Sequence, residues 1–346
     1  MGDITLDELQ LAARNHGMPL EAMRHAITPV GLHYLLIHYD IPVVDGASWR
    51  LDVDGRLSLG LDDLRALPAR ELAVTMECAG NGRARLDPRP LSQPWLYEAV
   101  GTGSWRGVAL CALLDRVGVP GSAVEVLFTG LDRGIEGEEE QVFQRSLPLD
   151  EAMRPEVLLA YDLNGAPLPP QHGFPLRLVV PGWYGMTNVK WLDRITFVDE
   201  PFAGYQQARG YRIRQTTEED GEPAARMAPR ALLVPPGIPD FMTRKRTLRA
   251  GRHELEGRAW SGHAQVAAVE VSTNGGVTWH NAQLEPAELG DWAWRRFTFA
   301  WDAPRGEHVL ACRARDEAGN SQPSEQPWNV GGYANNEVQR VASAVI

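Results

Sequence analysis

The last third of the chain is the part whose fold the sequence constrains most, because turn signals recur in it about every ten residues. Short stretches between the turns, at 254–259, 267–273, 294–301 and 308–314, have the composition of strands. Several short strands at this spacing are typical of an immunoglobulin-like β-sandwich. We therefore predict such a sandwich here. The turn signals are Gly251, Gly262, Asn274-Gly275-Gly276, Gly290, Pro304-Arg305-Gly306 and Gly319-Asn320.

The first two hundred residues instead mix short helices, short strands and loops. Apolar residues recur at helical spacing over 110–117 and Gly118 follows them, which predicts a helix that ends at this glycine. Alternating apolar and polar residues predict strands, because successive side chains of a strand point to opposite faces. The predicted strands are 49–55, 72–76, 124–128 and 176–180, and further helices are predicted at 6–15 and 61–67.

A change in composition separates these two parts. Residues 215–223 are polar and charged, and Pro235-Pro236-Gly237 follows, so the segment 215–239 is interpreted as a linker. A chain of 346 residues is also longer than one hydrophobic core usually serves. We predict a first domain over 1–222 and a second over 223–346.

The formal net charge of −11 argues against nucleic acid and anionic membranes as partners, since both require clustered Lys and Arg. No apolar run approaches the ~20 residues that span a bilayer. The start, Met1 to Thr5, lacks the pattern of a signal peptide. We therefore expect a cytoplasmic protein, or a periplasmic one if a leader has been removed. The three cysteines are widely spaced and form no CxxC or CxxCH motif, which argues against a disulfide framework, a zinc site and covalent haem.

Cys78 is the first candidate for chemistry. It follows a predicted strand and begins the turn 78–83, whose glycines allow a ligand to approach the backbone and whose Arg83 could stabilise a thiolate or bind an anion. The residues alone favour the ordinary alternative, a buried packing cysteine. Cys111 and Cys312 are interpreted as structural.

A second cluster lies between His172 and Lys190. His172, Arg177 and Lys190 flank two glycine-containing turns, whose backbone N–H groups and cations would suit a phosphate or a pterin. A proline-rich loop that merely joins strands explains the same residues equally well.

Other residues have ordinary interpretations on sequence alone. His16 and His33 are expected to be structural, because their spacing fits no metal motif. Aromatic residues such as Trp95 and Tyr211 more often pack in a core than bind a ligand. The acidic run 136–140 is expected to be a solvated loop.

Taken together, several segments resemble the sulfite oxidase family of molybdenum enzymes. The resemblance runs from about residue 30 to the end of the chain. In the first part it rests on Glu77–Asn81, Leu158–Gly165, His172–Pro175 and Val189–Leu192. In the tail it rests on Ala259–Gly262, Ser272–Trp279, Pro327–Asn329 and Gly332–Asn336.

The resemblance implies an α+β protein in which a mixed α/β molybdopterin-binding domain precedes an immunoglobulin-like dimerisation domain. It implies a single molybdopterin, with Cys78 as the molybdenum ligand and no haem in this chain. Tyr211, Arg83 and Trp95 would lie at the catalytic centre. The pterin and its phosphate would be held by His38, Asp132, His172, Arg177, Thr187, Asn188 and Lys190.

The implied reaction is the oxidation of sulfite to sulfate by a homodimer, with electrons passed to a separate acceptor such as a cytochrome. The sequence departs from the family pattern where Leu36 and His263 replace arginines, and Arg14 is a candidate to compensate. These departures leave two alternatives open. One keeps the cofactor and changes the substrate to sulfane sulfur or a sulfoxide. The other is a non-enzymatic β-sandwich binding protein.

Overall fold

The computed structural model describes residues 4–346, so Met1, Gly2 and Asp3, on which the signal-peptide argument partly rests, lie outside the described residues. The chain begins with helix α1 (Leu6–Arg14), because Thr5 and Glu8 form a reciprocal cap. The Glu8 amide donates to the Thr5 hydroxyl at 3.2 Å, and the Thr5 amide donates to the Glu8 carboxylate at 2.9 Å. Each bond satisfies a backbone donor that the first turn leaves unpaired.

The first part of the chain contains two five-stranded sheets, the two-stranded pair β11–β12 and four further short α-helices, and its predicted mixed character is confirmed. The helices are α2 (Leu61–Arg65), α3 (Leu110–Val117), α4 (Leu149–Ala152) and α5 (Tyr205–Ala208). The strands are β1 (Leu51–Val53), β2 (Leu57–Leu59), β3 (Ala69–Glu77), β4 (Val100–Ala109), β5 (Glu125–Glu136), β6 (Glu139–Pro148), β7 (Leu158–Leu163), β8 (Ala166–Pro167), β9 (Arg177–Val179), β10 (Leu192–Val198), β11 (Arg212–Ile213) and β12 (Glu222–Pro223).

One sheet has the order β2-β1-β10-β5-β6, and the other has the order β3-β4-β7-β8 with β9 also paired to β7. The predicted apolar face of α3 is buried through Leu110, Leu113 and Leu114. Cys78, which follows β3, and Arg177, which begins β9, line the same cavity, and this fixes where the site described below forms.

The second part is a β-sandwich, as predicted. Its sheets have the orders β13-β16-β20-β19 and β14-β15-β22-β21-β17-β18, and the side chains between them form a separate apolar cluster that includes Leu255, Val271 and Phe297. The strands are β13 (Arg230–Leu233), β14 (Ile238–Pro239), β15 (Arg246–Leu248), β16 (Gly251–Trp260), β17 (Val266–Ser272), β18 (His280–Asn281), β19 (Gln283–Leu284), β20 (Arg295–Ala303), β21 (Gly306–Asp316) and β22 (Gln339–Val345).

One sequence interpretation is wrong in detail. The segment 215–239 is not simply a linker, because β13 lies within it, pairs with β16 and is buried along its whole length. There tertiary pairing overrides a polar local composition.

The acidic run 136–140 forms the turn of the β5–β6 hairpin, where residues 137–140 are exposed as expected. Glu136 is partly buried, and its carboxylate accepts from the Tyr39 hydroxyl at 2.9 Å and from the Gln206 amide at 2.6 Å.

The two parts are joined by buried contacts. The Trp294 amide donates to the Thr75 hydroxyl at 2.7 Å, and the Thr75 amide donates to the Trp292 carbonyl at 2.9 Å. Trp260 and Trp294 belong to the same apolar cluster as the first sheets. Within residues 4–346, no helix has both the length and the apolar character needed to cross a membrane.

Candidate active site

Cys78 begins a tight turn at the end of β3. Its amide donates to the Ala99 carbonyl at 2.9 Å, and its carbonyl accepts from the Asn81 amide at 2.9 Å. The side chain is only 6% exposed, and the buried Trp95 indole lies beside it. Burial raises the pKa of the Cys78 thiol, while the nearby Arg83 guanidinium opposes this shift. A cation close to the sulfur is the arrangement that favours thiolate ligation of a metal.

Arg83 is a buried cation on the same turn. It is 4% exposed, its Nε donates to the Gly331 carbonyl at 2.8 Å, and its Nη1 donates to the Gln93 carbonyl at 3.1 Å. Among the ion pairs of residues 4–346 none involves Arg83. Because no carboxylate cancels its charge, Arg83 remains available to attract an anion.

Two connected cavities open on Cys78. An inner cavity of about 50 Å³ extends toward β9, and an outer cleft of about 290 Å³ extends toward α1 and the second domain. Four residues line both of them: Leu36, His38, Cys78 and Tyr211. The inner cavity is also lined by His33, Asp132, His172, Arg177, Asn188 and Lys190, and the outer cleft by Arg14, Arg83, Gln93, Trp95 and Tyr333.

His38 and Tyr211 are joined where the cavities meet, by a short hydrogen bond between the imidazole Nε2 and the phenol oxygen. Burial lowers the pKa of His38 to about 3, and Lys190 and Arg14 lower it further, so the imidazole is neutral at pH 7. Burial likewise raises the pKa of Tyr211 well above its ordinary value. The phenol therefore keeps its proton. With His38 in the Nε2–H tautomer as the donor of their shared hydrogen bond, the phenol can donate that proton toward the cleft.

Arg145 packs over the ring of Tyr211, with its guanidinium carbon 5.7 Å from the ring centroid. Burial lowers the pKa of Arg145 to about 10, which leaves it charged at neutral pH. Tyr211 itself has φ of 55°, a left-handed backbone conformation that few non-glycine residues adopt.

The inner cavity carries two long cations whose present partners are backbone carbonyls. The Lys190 ammonium donates to the Leu36 carbonyl at 2.8 Å, and the Arg177 guanidinium donates to the carbonyls of His172 at 3.1 Å and Asn188 at 3.2 Å. An anionic ligand would offer them stronger, charge-assisted hydrogen bonds.

Lys190 and Asp132 form a buried titrating pair. Burial lowers the pKa of Lys190 to about 7, and Arg177 lowers it further, while Asp132 opposes the shift. Burial raises the pKa of Asp132 to about 6, and Lys190 opposes that shift. Because burial brings the pKa of the Lys190 ammonium close to neutral pH, an anion that binds beside it would favour the charged form.

Several buried polar atoms at these cavities have no hydrogen-bond partner within residues 4–346. They are Asp132 Oδ1 and Arg177 Nε on the wall of the inner cavity and Thr187 Oγ1 beside it. Leaving such a group unsatisfied costs about 1–3 kcal/mol, so a set of them around one cavity points to a polar ligand. A ligand that is rich in nitrogen donors and acceptors and carries a phosphate fits these atoms and the two cations.

No group of three or more His, Cys, Asp or Glu in residues 4–346 could hold a metal ion. A metal bound to Cys78 would therefore need most of its ligands from outside the protein. An organic cofactor that binds the metal through its own sulfur atoms would supply them. The donor set around Cys78 thus fits a metal delivered by a cofactor and does not fit a bare ion.

The structure brings nearly all of the predicted site residues together. Thr187 lies between the lining residues Met186 and Asn188, with its hydroxyl buried. The Asn188 side chain accepts from the Val180 amide at 2.7 Å and donates to the Tyr184 carbonyl at 3.2 Å, so it fixes the loop.

His263 and Arg14, the two residues that the resemblance raised in connection with substrate binding, differ in their position relative to the cavities. His263 is exposed and lines neither cavity, so its substitution for an arginine has no direct effect on the site. Arg14 does line the outer cleft, where its Nη2 donates to the His38 carbonyl at 3.3 Å.

Sequence reasoning missed His33 and Tyr333. His33 was expected to be structural, but its ring lines the inner cavity 5.7 Å from that of His172. Tyr333 lies in a segment attributed to the dimerisation domain, yet it lines the outer cleft. Nothing in the local pattern around either residue indicates its position.

A buried thiol at the junction of a cationic inner cavity and an open cleft suits a molybdopterin-binding oxidoreductase, and the family matches identify this class. Residues 38–206 match the oxidoreductase molybdopterin binding domain, and residues 236–345 match the Mo-co oxidoreductase dimerisation domain. The chain belongs to the sulfite oxidase family of these proteins.

Its relatives include mitochondrial sulfite oxidase of Homo sapiens, with 35% identity in an alignment of 343 positions that covers 91% of this chain and 61% of the human protein. Sulfite oxidase of Arabidopsis thaliana is 31% identical in an alignment of 345 positions that covers 91% of this chain and 87% of that protein. The chain thus spans less than two thirds of the human protein's length. Sulfane dehydrogenase SoxCD of Paracoccus pantotrophus has the same fold, with a TM-score of 0.82 and 24% identity over 100% of this chain and 93% of that one.

Proposed function

We propose that the chain binds a single molybdopterin through its first domain, with Cys78 as the protein ligand to molybdenum, and oxidises sulfite to sulfate. The observation that carries this proposal is the buried Cys78 thiol, which opens onto unpartnered polar atoms and uncompensated cations. The domain division at 222/223 and a homodimer formed through the second domain are parts of the same proposal.

The inner cavity would hold the cofactor. Lys190, Arg177 and His172 would bind its phosphate, because the hydrogen bonds of the two cations now go to neutral carbonyl and thioether groups. Thr187 Oγ1 and Asp132 Oδ1 would take up polar atoms of the pterin, and His38, with Asn188 in the wall, would complete the enclosure. When bound, the cofactor supplies a metal that accepts two electrons and exchanges an oxygen atom.

The outer cleft would hold the substrate. Arg83 attracts the sulfite anion toward Cys78, and Tyr211, whose phenol keeps its proton, donates a hydrogen bond to an anionic oxygen. Trp95 covers the other side of the thiol and limits water there. Sulfite and one water yield sulfate, two protons and two electrons. The protons leave through the open cleft, and the electrons pass singly to a separate acceptor such as a cytochrome.

Sulfite-dependent reduction of ferricyanide by molybdenum-loaded protein tests this proposal, with the metal content measured on the same sample. We expect turnover proportional to molybdenum. Full molybdenum without turnover would reject sulfite as the substrate and retain the cofactor. Absence of molybdenum from protein made in a host that synthesises the cofactor would reject both and favour a β-sandwich binding protein.

A second substrate class is favoured by the outer cleft itself. Its volume of about 290 Å³ exceeds what a small oxyanion fills, since a water molecule takes about 30 Å³, and the apolar Leu36 lines it. Such a cleft would admit a larger sulfur compound, such as one that carries sulfane sulfur, or a sulfoxide to be reduced. Turnover of thiosulfate-type and sulfoxide substrates, compared with sulfite on the same loaded sample, separates these possibilities.

A further inference from the structure

A loop of the second domain forms part of the outer cleft. Residues Asn329–Asn336 come between β21 and β22 in the sequence, but in space they pack against the turn that begins at Cys78. We call these residues the return segment. The Ala334 amide donates to the Ala79 carbonyl at 2.7 Å, and the Asn335 side chain donates to the Gly82 carbonyl at 2.8 Å. The return segment is therefore fixed to the loop that carries the thiol.

Tyr333 is the residue of the return segment whose ring faces the cleft. Its amide donates to Asn329 Oδ1 at 2.9 Å, and its carbonyl accepts from Asn329 Nδ2 at 2.9 Å. The Arg83 guanidinium carbon lies over the Tyr333 ring, 5.1 Å from its centroid. Gly332 permits this approach, because a Cβ there, at φ of 59°, would lie 2.7 Å from Arg83 Cγ.

The Tyr333 ring also packs against Tyr211, with 5.2 Å between the ring centroids. Because Arg145 lies over Tyr211, the four side chains form a continuous stack in the order Arg83, Tyr333, Tyr211, Arg145. The two guanidiniums are 4% and 3% exposed, and neither takes part in an ion pair within residues 4–346.

Aromatic faces explain how two such cations remain buried. A guanidinium over a tyrosine ring is attracted by the negative face of the ring, and unlike a carboxylate the ring leaves the positive charge uncancelled. Tyr333 therefore holds Arg83 in place and preserves its attraction for an anion. A carboxylate in its place would hold Arg83 equally well but would remove the positive potential.

We infer that Tyr333 is a positioning residue that sets the affinity of the outer cleft for anionic substrates by orienting Arg83 and bracing Tyr211. This inference rests on the proposed function, because it concerns the same site, and it assigns part of that site to the second domain. Tyr333 acts through Arg83 and Tyr211, so its removal should alter anion binding more than the chemical step.

The experiment compares four molybdenum-loaded proteins: the unaltered chain, Tyr333→Phe, Tyr333→Leu and Trp328→Leu. Trp328, which directly precedes the return segment, is the control. Its Nε1 donates to the Pro88 carbonyl of the first domain at 2.7 Å, but its side chain does not line the cleft. Sulfate, a stable dianion that undergoes no turnover, is titrated into each by calorimetry. The KM and kcat for sulfite are measured on the same samples.

We expect Tyr333→Leu to weaken sulfate binding about tenfold and to raise KM by a similar factor, with kcat changed less than about threefold. Tyr333→Phe and Trp328→Leu should bind sulfate as the unaltered chain does, since the first keeps the ring and the second leaves the stack intact. If Tyr333→Leu does not fold, Tyr333→Met, which is unbranched and of similar length, provides the same comparison.

The inference is overturned if Tyr333→Leu binds sulfate normally, if Trp328→Leu weakens binding equally, or if the unaltered protein binds no sulfate. A protein that binds sulfate in a Tyr333-dependent way but fails to oxidise sulfite would retain the inference and reject the proposed substrate. Failure of the two proposals is therefore distinguishable.

Discussion

Glu77→Gln should destabilise the protein strongly, because Glu77 forms a buried ion pair between the two domains immediately before Cys78. Glu77 Oε1 lies 2.8 Å from Arg230 Nε, and both side chains are 1% exposed. The same carboxylate accepts from Trp260 Nε1 at 2.8 Å and from Asn81 Nδ2 at 3.0 Å. The Arg230 N–H groups are not well aligned with the carboxylate, so the contact is mainly a charge–charge attraction.

Glutamine has the same shape as glutamate but lacks the charge. Arg230 would then be a buried, unpaired cation, and the new amide N–H₂ would face the Trp260 or Arg230 donors. Removing one partner of a buried pair costs about 3–5 kcal/mol. At roughly 2 cal/mol/K of unfolding entropy per residue, this loss lowers the Tm of a 346-residue chain by about 4–7 °C.

The assay is thermal unfolding followed by circular dichroism, with the molybdenum content of each protein recorded. Glu307→Gln is the control, because Glu307 pairs with Lys245 at 2.6 Å but the two side chains are 71% and 40% exposed. An exposed pair is worth about 0–1 kcal/mol, so this variant should unfold within about 1 °C of the unaltered protein. Combining Glu77→Gln with Arg230→Met removes both buried charges and should recover part of the loss.

Two results would refute this reasoning. A fall in Tm no larger than that of Glu307→Gln would mean that the buried pair contributes no more than an exposed one. If the double variant loses as much stability as Glu77→Gln and Arg230→Met lose together when measured singly, the two charges do not interact.

Three further predictions concern the site. Cys78→Ser should abolish sulfite turnover per molybdenum while Cys111→Ser, outside both cavities, retains it, and full activity of Cys78→Ser would contradict the ligand assignment. Burial lowers the pKa of Lys190 to about 7, so its charge is present below that pH and lost above it. Sulfate affinity of the cofactor-free protein should therefore rise about tenfold from pH 8 to pH 6, and a pH dependence that persists in Lys190→Met would contradict this origin. Gly82→Ala should cost about 1–3 kcal/mol in unfolding experiments, because φ is 92° and the new Cβ would lie 2.9 Å from the Asn335 carbonyl oxygen. Gly121→Ala, where nothing lies within 4 Å, should be nearly neutral, and equal losses in the two variants would contradict the steric argument.

The sequence by itself determined the elements whose signals are local. Helical spacing over 110–117 and the glycine after it predicted α3, and recurring turn signals predicted the sandwich of the second domain. Alternating residues predicted β1, β3 and the start of β5, whereas β4, β6, β7 and β10 were not predicted. The resemblance of a few short segments was sufficient to name the family and to select Cys78, His172 and Lys190. Each of these signals lies within a few consecutive residues, so it can be recognised without knowledge of the tertiary contacts.

Only the tertiary structure decided which distant residues meet. Polar composition hid β13, because pairing and burial outweighed local preference there. Nothing in the sequence indicated that His33 faces His172, that Glu77 pairs with Arg230, or that Tyr333 covers Arg83. These contacts join segments far apart in the chain. They depend on how sheets and loops pack, and periodicity carries no information about that packing.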